Sequence, residues 1–201
     1  MRIDLHLHSQ YSHDGESSLE ELIRRAAECR LERIALTDHN TVEGAIALAE
    51  MAPGLAIVGE EAKTREGEVI GLFITSRIPP YLPAKEVMDM IHDMGGLTYL
   101  PHPLDRRRDH FSAERIVELA DRVDIIETYN AWCDPAANQA AARLADELEK
   151  VAATGSDSHS ARELGRSWME IDDYTTPLDF LEKLRGARHV ITASSGKGRR
   201  A

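Results

Sequence analysis

Histidine and carboxylate residues recur in this sequence at spacings suited to holding divalent metal ions. His6 and His8 flank Leu7 in an apolar run that reads as a strand. Strand side chains alternate faces, so the two imidazoles point the same way about 7 Å apart and can grip one ion. By itself the pair could equally belong to a core or a surface. A second apolar run, Ile34-Ala35-Leu36, stops abruptly at Thr37-Asp38-His39-Asn40, and the same kind of ending recurs further along. Ala56-Ile57-Val58 leads into Gly59-Glu60-Glu61, Leu97-Thr98-Tyr99-Leu100 into Pro101-His102-Pro103, and Val151-Ala152-Ala153-Thr154 into Gly155-Ser156-Asp157-Ser158-His159. Packing gives apolar strands no reason to end in imidazoles and carboxylates, whereas an active site at the C-terminal mouth of a parallel barrel requires it. Of nine histidines, six fall in such segments: His6, His8, His13, His39, His102 and His159. His92, His110 and His189 lie on a helix face, in a loop and before the last strand, and read as ordinary polar residues.

The elements that must position these groups alternate between strand and helix along nearly the whole chain. Strands are expected over 3–8, 33–37, 55–59, 69–74, 97–100, 123–129, 151–154 and 189–192. Ser18-Leu19-Glu20-Glu21 opens the first helix with a capping residue and an acidic first turn, and Leu19, Leu22, Ile23 and Ala26 recur at helical spacing. Pro83 is expected at the first turn of another helix, which Gly95-Gly96 ends with a left-handed cap. Successive strand-helix units without a composition break close most naturally into a barrel. The predicted fold is α/β: a distorted barrel of seven or eight strand-helix units over residues 1–193, in a single domain. An open doubly wound sheet is the alternative, but no Gly-rich loop follows the first strand. Ser194-Ser195-Gly196-Lys197-Gly198 lacks phosphate-loop spacing and a following helix, so 194–201 is expected to be a flexible basic tail.

Composition narrows the function classes. With 42% hydrophobic and 29% charged residues, the chain suits a soluble globular fold. No apolar run is long enough to cross a bilayer and no signal-like segment is seen, so a cytoplasmic protein without a membrane partner is expected. Cys29 and Cys133 are too sparse for a disulfide framework and read as structural thiols. A formal charge of −11 disfavours wrapping of long nucleic acid. It does not disfavour small phosphates, because bound cations would reverse the local charge.

Taken in order, Asp4-Leu5-His6-Leu7-His8-Ser9, Ser12-His13-Asp14-Gly15, Thr37-Asp38-His39-Asn40, Gly59-Glu60-Glu61, Pro101-His102-Pro103 and Gly155-Ser156-Asp157-Ser158-His159 resemble the PHP family, named for polymerase-associated and histidinol-phosphatase members. The set spans almost the entire chain in family order. The resemblance implies a distorted seven-stranded (β/α)7 barrel whose site takes up to three metals. Carried over by position, it makes His6, His8, Glu61 and Asp157 ligands of one ion, with Glu61 bridging to a second that His102 also binds. Asp14, His39 and His159 would hold the third. Family members place the early ligand five or six residues after the second histidine; Ser-x-Asp-Gly matches the longer version, which favours Asp14 and leaves His13 as a supporting or substrate contact. Glu68 stands where many relatives have histidine and is expected to coordinate through oxygen. A mixed nitrogen and oxygen shell suits zinc, manganese or iron, and two or three divalent ions are expected.

The expected activity is that of a metal-dependent phosphoric ester hydrolase acting on a small phosphomonoester: a sugar, amino-alcohol or nucleotide phosphate. Neighbouring divalent ions bind phosphoryl oxygens, bring a water towards ionisation at neutral pH and stabilise the leaving oxygen, so no protein nucleophile is needed. His102, His159 or His13 would protonate the leaving group. Arg106, Arg107 and Arg108 closely follow His102, and Arg162 follows His159; at least one guanidinium is expected on a substrate phosphate. Glu127 and Asn130, at another strand end, would orient ligands or bind substrate hydroxyls. Met88, Met90, Met94, Trp132 and Trp168 read as core or pocket wall. Some relatives carry an insert between the Gly-x-Glu hairpin and the later histidine motif; only a short helix is expected here, leaving an open site. Alternatives are a nuclease for short oligonucleotides, a C–N metallohydrolase and a non-catalytic metal-binding module.

Overall fold

Apolar runs buried on both faces pair here as a mostly parallel sheet, the arrangement such runs favour. In the computed structural model, which describes residues 1–192, the strands are β1 (Arg2–Leu7), β2 (Arg33–Leu36), β3 (Ala56–Lys63), β4 (Glu68–Leu72), β5 (Leu97–Leu100), β6 (Ile125–Asn130), β7 (Val151–Gly155), β8 (Ser167–Glu170) and β9 (Arg188–Ile191). Their spatial order is β7-β6-β5-β4-β3-β2-β1-β8-β9. The ends of the first seven meet: the His8 amide donates to the Ser158 carbonyl and the Asp157 amide to the His6 carbonyl, both at 2.8 Å. A parallel bridge between Leu7 and Ser158 marks the same seam. The barrel is distorted because β4 runs antiparallel to both β3 and β5, while the other six strands of the ring share one direction.

Helices pack around this ring: α1 (Leu19–Cys29), α2 (Glu43–Met51), α3 (Ala84–Asp93), α4 (Ala113–Glu118), α5 (Pro135–Glu147) and α6 (Pro177–Arg185). At α1, Ser18 and Glu21 form a reciprocal capping box, which satisfies otherwise orphaned amides. At α3, Pro83 occupies the cap itself, one residue before the first-turn position the sequence pointed to. Gly95 follows with φ 77°, as a left-handed terminus requires. Along β1, Ile3, Leu5 and Leu7 occupy one face and join apolar clusters, whereas Asp4, His6 and His8 occupy the other; all are fully buried.

Two strands differ from expectation. β3 continues beyond Gly59 to Lys63, because its partner changes: pairing with β2 ends at Val58, and pairing with β4 takes over at Gly59. β8 was not foreseen; Ser167-Trp168-Met169-Glu170 is short and only half apolar, and it is recruited by the free edge of β1. The tail expected over 194–201 lies outside the described residues. Among the described residues, no helix is long and apolar enough to cross a membrane.

Candidate metal centre

Strand ends at the C-terminal mouth bring the predicted ligands together. His6 and His8 come from β1, and Asp14 from the loop after it. His39 follows β2, Glu61 lies in β3 beyond its parallel register, and Glu68 opens β4. His102 follows β5, and Asp157 and His159 follow β7. Glu61 is the hub. Its Oε2 lies 3.3 Å from His6 Nε2, His8 Nε2 and His39 Nδ1, and its Oε1 lies 3.1 Å from His102 Nε2. Asp157 Oδ1 is 3.5 Å from His6 Nε2 and 3.3 Å from His8 Nε2. Asp14 Oδ2 stands 3.1 Å from His159 Nε2 and 3.5 Å from His39 Nε2. Glu68 Oε2 approaches His102 Nε2 at 3.8 Å.

Four overlapping sets have ligand atoms mutually within 4.8 Å: His6, His8 and Glu61; His6, His102 and Asp157; His39, Glu61 and Glu68; and His8, Asp14, His39 and His159. The last contains the three residues assigned to the third ion, joined by His8. Asp14 points into the cluster, whereas the His13 side chain is 80% exposed and stands at its rim, 3.9 Å from Asp14 Oδ1.

The donor set fits divalent cations on physical grounds. His6 Nε2 and His8 Nε2 face each other at 3.2 Å, and Asp157 Oδ1 is buried without a hydrogen-bond partner. A buried carboxylate oxygen left in that state is costly unless a cation lies beside it. Burial opposes charge on Asp157 and Glu61, yet the surrounding imidazoles, joined at Asp157 by the Arg108 guanidinium, hold both carboxyls well below the usual range. Burial pushes His8 down to about 4, keeping its imidazole neutral with a lone pair available. His102 and Asp157 also adopt left-handed backbone, at φ 30° and 50°. Non-glycine residues hold such conformations at a cost of about 1–3 kcal/mol each, a feature that clusters at functional sites.

A supporting layer fixes the rings. The fully buried Glu127 receives His6 Nδ1 at 3.0 Å and the Tyr99 hydroxyl at 2.7 Å on Oε1. Its Oε2 receives the His102 amide at 2.6 Å and Asn130 Nδ2 at 2.9 Å. Ser12 Oγ lies 3.3 Å from His8 Nδ1 and accepts the His39 amide at 2.8 Å. Glu163 accepts the His159 amide, and that ring's Nδ1 faces the Asp157 carbonyl. Asp38, beside His39 in sequence, stays outside the cluster and holds the Ser9 amide and hydroxyl. Ser12, Tyr99 and Glu163 were missed from sequence, where a lone hydroxyl or carboxylate carries no signal; only Ser12, inside the early motif, was within reach.

The arginines separate. Arg108 donates to Asp157 Oδ2 at 2.6 Å and so stands at the cluster. Arg107 is committed to Asp105 through two contacts and to the Trp132 carbonyl. Arg106 and Arg162 are exposed, and each lines a cavity whose lining includes none of the clustered ligands. Elsewhere His92 meets Asp124, His110 the Arg108 carbonyl and His189 Thr154.

Glu68 faces the cluster, its carboxyl pushed up to about 7 by burial and the Glu61 charge. Glu68→Gln is expected to weaken metal retention and lower turnover about tenfold or more, the scale of changes around metal ligands. Metal titration followed by elemental analysis checks this; unchanged occupancy and rate would leave Glu68 a rim residue.

Comparison with known proteins bears on the family and the fold. Residues 4–67 match the PHP domain and residues 135–188 match the PHP-associated segment. An uncharacterized protein of Methanocaldococcus jannaschii is 33% identical over 204 residues, covering 92% of this chain and 79% of its own. A second from that organism is 33% identical over 145 residues, covering 66% of this chain and 83% of its own. Among solved structures, a two-domain protein of Bacteroides vulgatus containing a predicted PHP-like metal-dependent phosphoesterase superposes with a TM-score of 0.75 at 16% identity, covering 96% of this chain and 65% of its own. Kinship runs along most of this chain and its relatives, and the ligand motifs meet at one barrel mouth in the order their pattern demands: the chain belongs to the PHP family.

Proposed function

We propose that this protein is a metal-dependent phosphoesterase that releases phosphate from small phosphomonoesters. The observation that carries the reading is Arg108, a guanidinium set directly against Asp157 in a cluster already built for cations. Added positive charge there would repel metals and serves an anionic substrate. Bound divalent ions would polarise the phosphoryl oxygens and favour ionisation of a water. Arg108 then binds a phosphoryl oxygen and orients the group, its planar fork matching phosphate. Asp157 is kept in place by Arg108 and Asn130, and His6 by Glu127. His102 and His159 direct Nε2 at Glu61 and Asp14, which leaves His13 as the imidazole free to pass a proton to the leaving oxygen. Zinc, manganese or iron in two or three copies suits the donor set.

The deciding experiment joins elemental analysis with a phosphate-release screen over sugar phosphates, amino-alcohol phosphates and nucleotides. Two or three equivalents and release from a monoester support the reading; cleavage only of a diester or a C–N bond would move the chain to another substrate class. Arg108→Ala is expected to lower kcat/KM about tenfold or more, since charge-assisted contacts contribute about 1.5–3 kcal/mol. With metal supplied at saturation, occupancy should stay constant although Arg108 no longer holds Asp157. Full efficiency in Arg108→Ala would mean that phosphate is held without it.

A further inference from the structure

The loop after β5 is tied to several sides of the barrel mouth. Arg107 donates to the Trp132 carbonyl, beyond β6, at 3.0 Å. Arg108 reaches Asp157, beyond β7, at 2.6 Å. Asp109 pairs with Lys63 at the end of β3. Phe111, 2% exposed, packs against Gly67 in the β3–β4 turn, where an added Cβ would meet its ring at 2.8 Å. Since β7 and β3 stand on opposite sides of the ring, the side-chain contacts of residues 107–111 reach from one side to the other.

Accessibility of the ligands follows this path. The side chains of His6 and His8 are 0% exposed, and those of Asp157 and His102 only 1%. Asp14 at 33%, His39 at 13% and Glu68 at 11% form the accessible edge. Alternation along β3 puts Lys63 on the same face as Glu61, and in register it stands opposite Glu68, so the Lys63–Asp109 pair closes the strap beside that edge.

We propose that residues 105–111 form a strap that leaves one entrance, along Asp14, His39 and Glu68, and thereby restricts the site to terminal phosphomonoesters and excludes phosphodiesters within a chain. This deepens the phosphomonoesterase reading and rests on it. A terminal phosphate enters through one opening with its single ester group trailing outward. An internal diester carries a second substituent that needs a groove open at both ends, and the strap crosses that path. The open mouth expected from the absence of an insert is therefore narrowed by the loop that carries Arg108. Lys63 and Asp109 become specificity-determining residues without touching the reacting phosphate.

The test compares the full chain with Asp109→Ala and with Asp109→Glu, which keeps the ion pair. Amide hydrogen exchange over residues 104–111 reads strap closure. The ratio of kcat/KM for p-nitrophenyl phosphate to that for bis-p-nitrophenyl phosphate reads exclusion. Asp109→Ala should speed exchange and shift the ratio towards the diester about fivefold, the ceiling for an exposed ion pair. Asp109→Glu should restore both. Unchanged exchange, faster exchange with an unchanged ratio, or an unmodified protein that prefers the diester overturns the proposal. Should the unmodified protein cleave neither ester and release no phosphate in the wider screen, the phosphoesterase reading falls and the exclusion proposal with it, whatever the exchange shows.

Discussion

Glu61→Gln is expected to abolish measurable turnover and to strip metal from the protein on dialysis. One carboxylate here stands against four imidazoles, His6, His8, His39 and His102, all within 3.3 Å of its two oxygens. Among the described residues no other carboxylate meets as many imidazoles at that distance. A glutamine of the same shape supplies one neutral oxygen and an N–H2 that cannot bind a cation. Were Glu61 shared between two ions, its loss would remove several kcal/mol of charge stabilisation, so the rate should fall about a thousandfold or more. Elemental analysis after dialysis, beside a phosphate-release assay and far-UV circular dichroism, separates loss of metal from loss of fold. A folded Glu61→Gln protein with the metal content and rate of the unmodified chain would remove Glu61 from the centre and the shared-carboxylate arrangement with it.

Such a hub is legible in sequence only as far as strand periodicity reaches. His6 and His8 could be placed on one face because alternation is local, and His39, Glu61, His102, Asp157 and His159 announced themselves by ending apolar runs, whereas Asp14 and Glu68 were reached only through the family resemblance. That Glu61 would lie in mid-strand could not be read, since β3 outlasts its pairing with β2 by exchanging one neighbour for another. The arginine run shows the same limit. Three identical side chains in a row differ only by what the folded loop offers them: a cavity wall for Arg106, Asp105 and a carbonyl for Arg107, and Asp157 of the histidine-carboxylate cluster for Arg108. Likewise β8 exists because β1 has a free edge, a tertiary fact that no short window of sequence contains.

The second large effect concerns Glu127, which no metal needs to touch. Burial opposes its charge, yet the neighbouring His6 and His102 hold its carboxyl below the usual range, so it is an acceptor on both oxygens. Four donors use them: the Tyr99 hydroxyl and His6 Nδ1 on Oε1, and the His102 amide and Asn130 Nδ2 on Oε2. In the neutral ring, donation of the Nδ1 proton of His6 to Glu127 leaves the lone pair on Nε2, the atom that faces Glu61 and His8. Glu127→Gln turns one oxygen into an N–H2 donor, so at least two of those four donors lose their acceptor. Each buried group left unsatisfied costs about 1–3 kcal/mol, and a disturbed outer partner of a metal-binding histidine costs about 10- to 100-fold in affinity. Gly155→Ala attacks the same contact from the other side: its Cβ would lie 2.2 Å from Glu127 Oε1 and 2.6 Å from His6 Cβ, with no space for either to yield. Tyr99→Phe, which removes one donor and leaves the carboxylate, should be far milder. Isothermal titration with zinc or manganese, paired with thermal melts of the metal-free proteins, orders the three variants. Metal affinity in Glu127→Gln equal to that of Tyr99→Phe would show that the ligand histidine needs no such anchor, and would reduce Glu127 to a packing residue of the barrel interior.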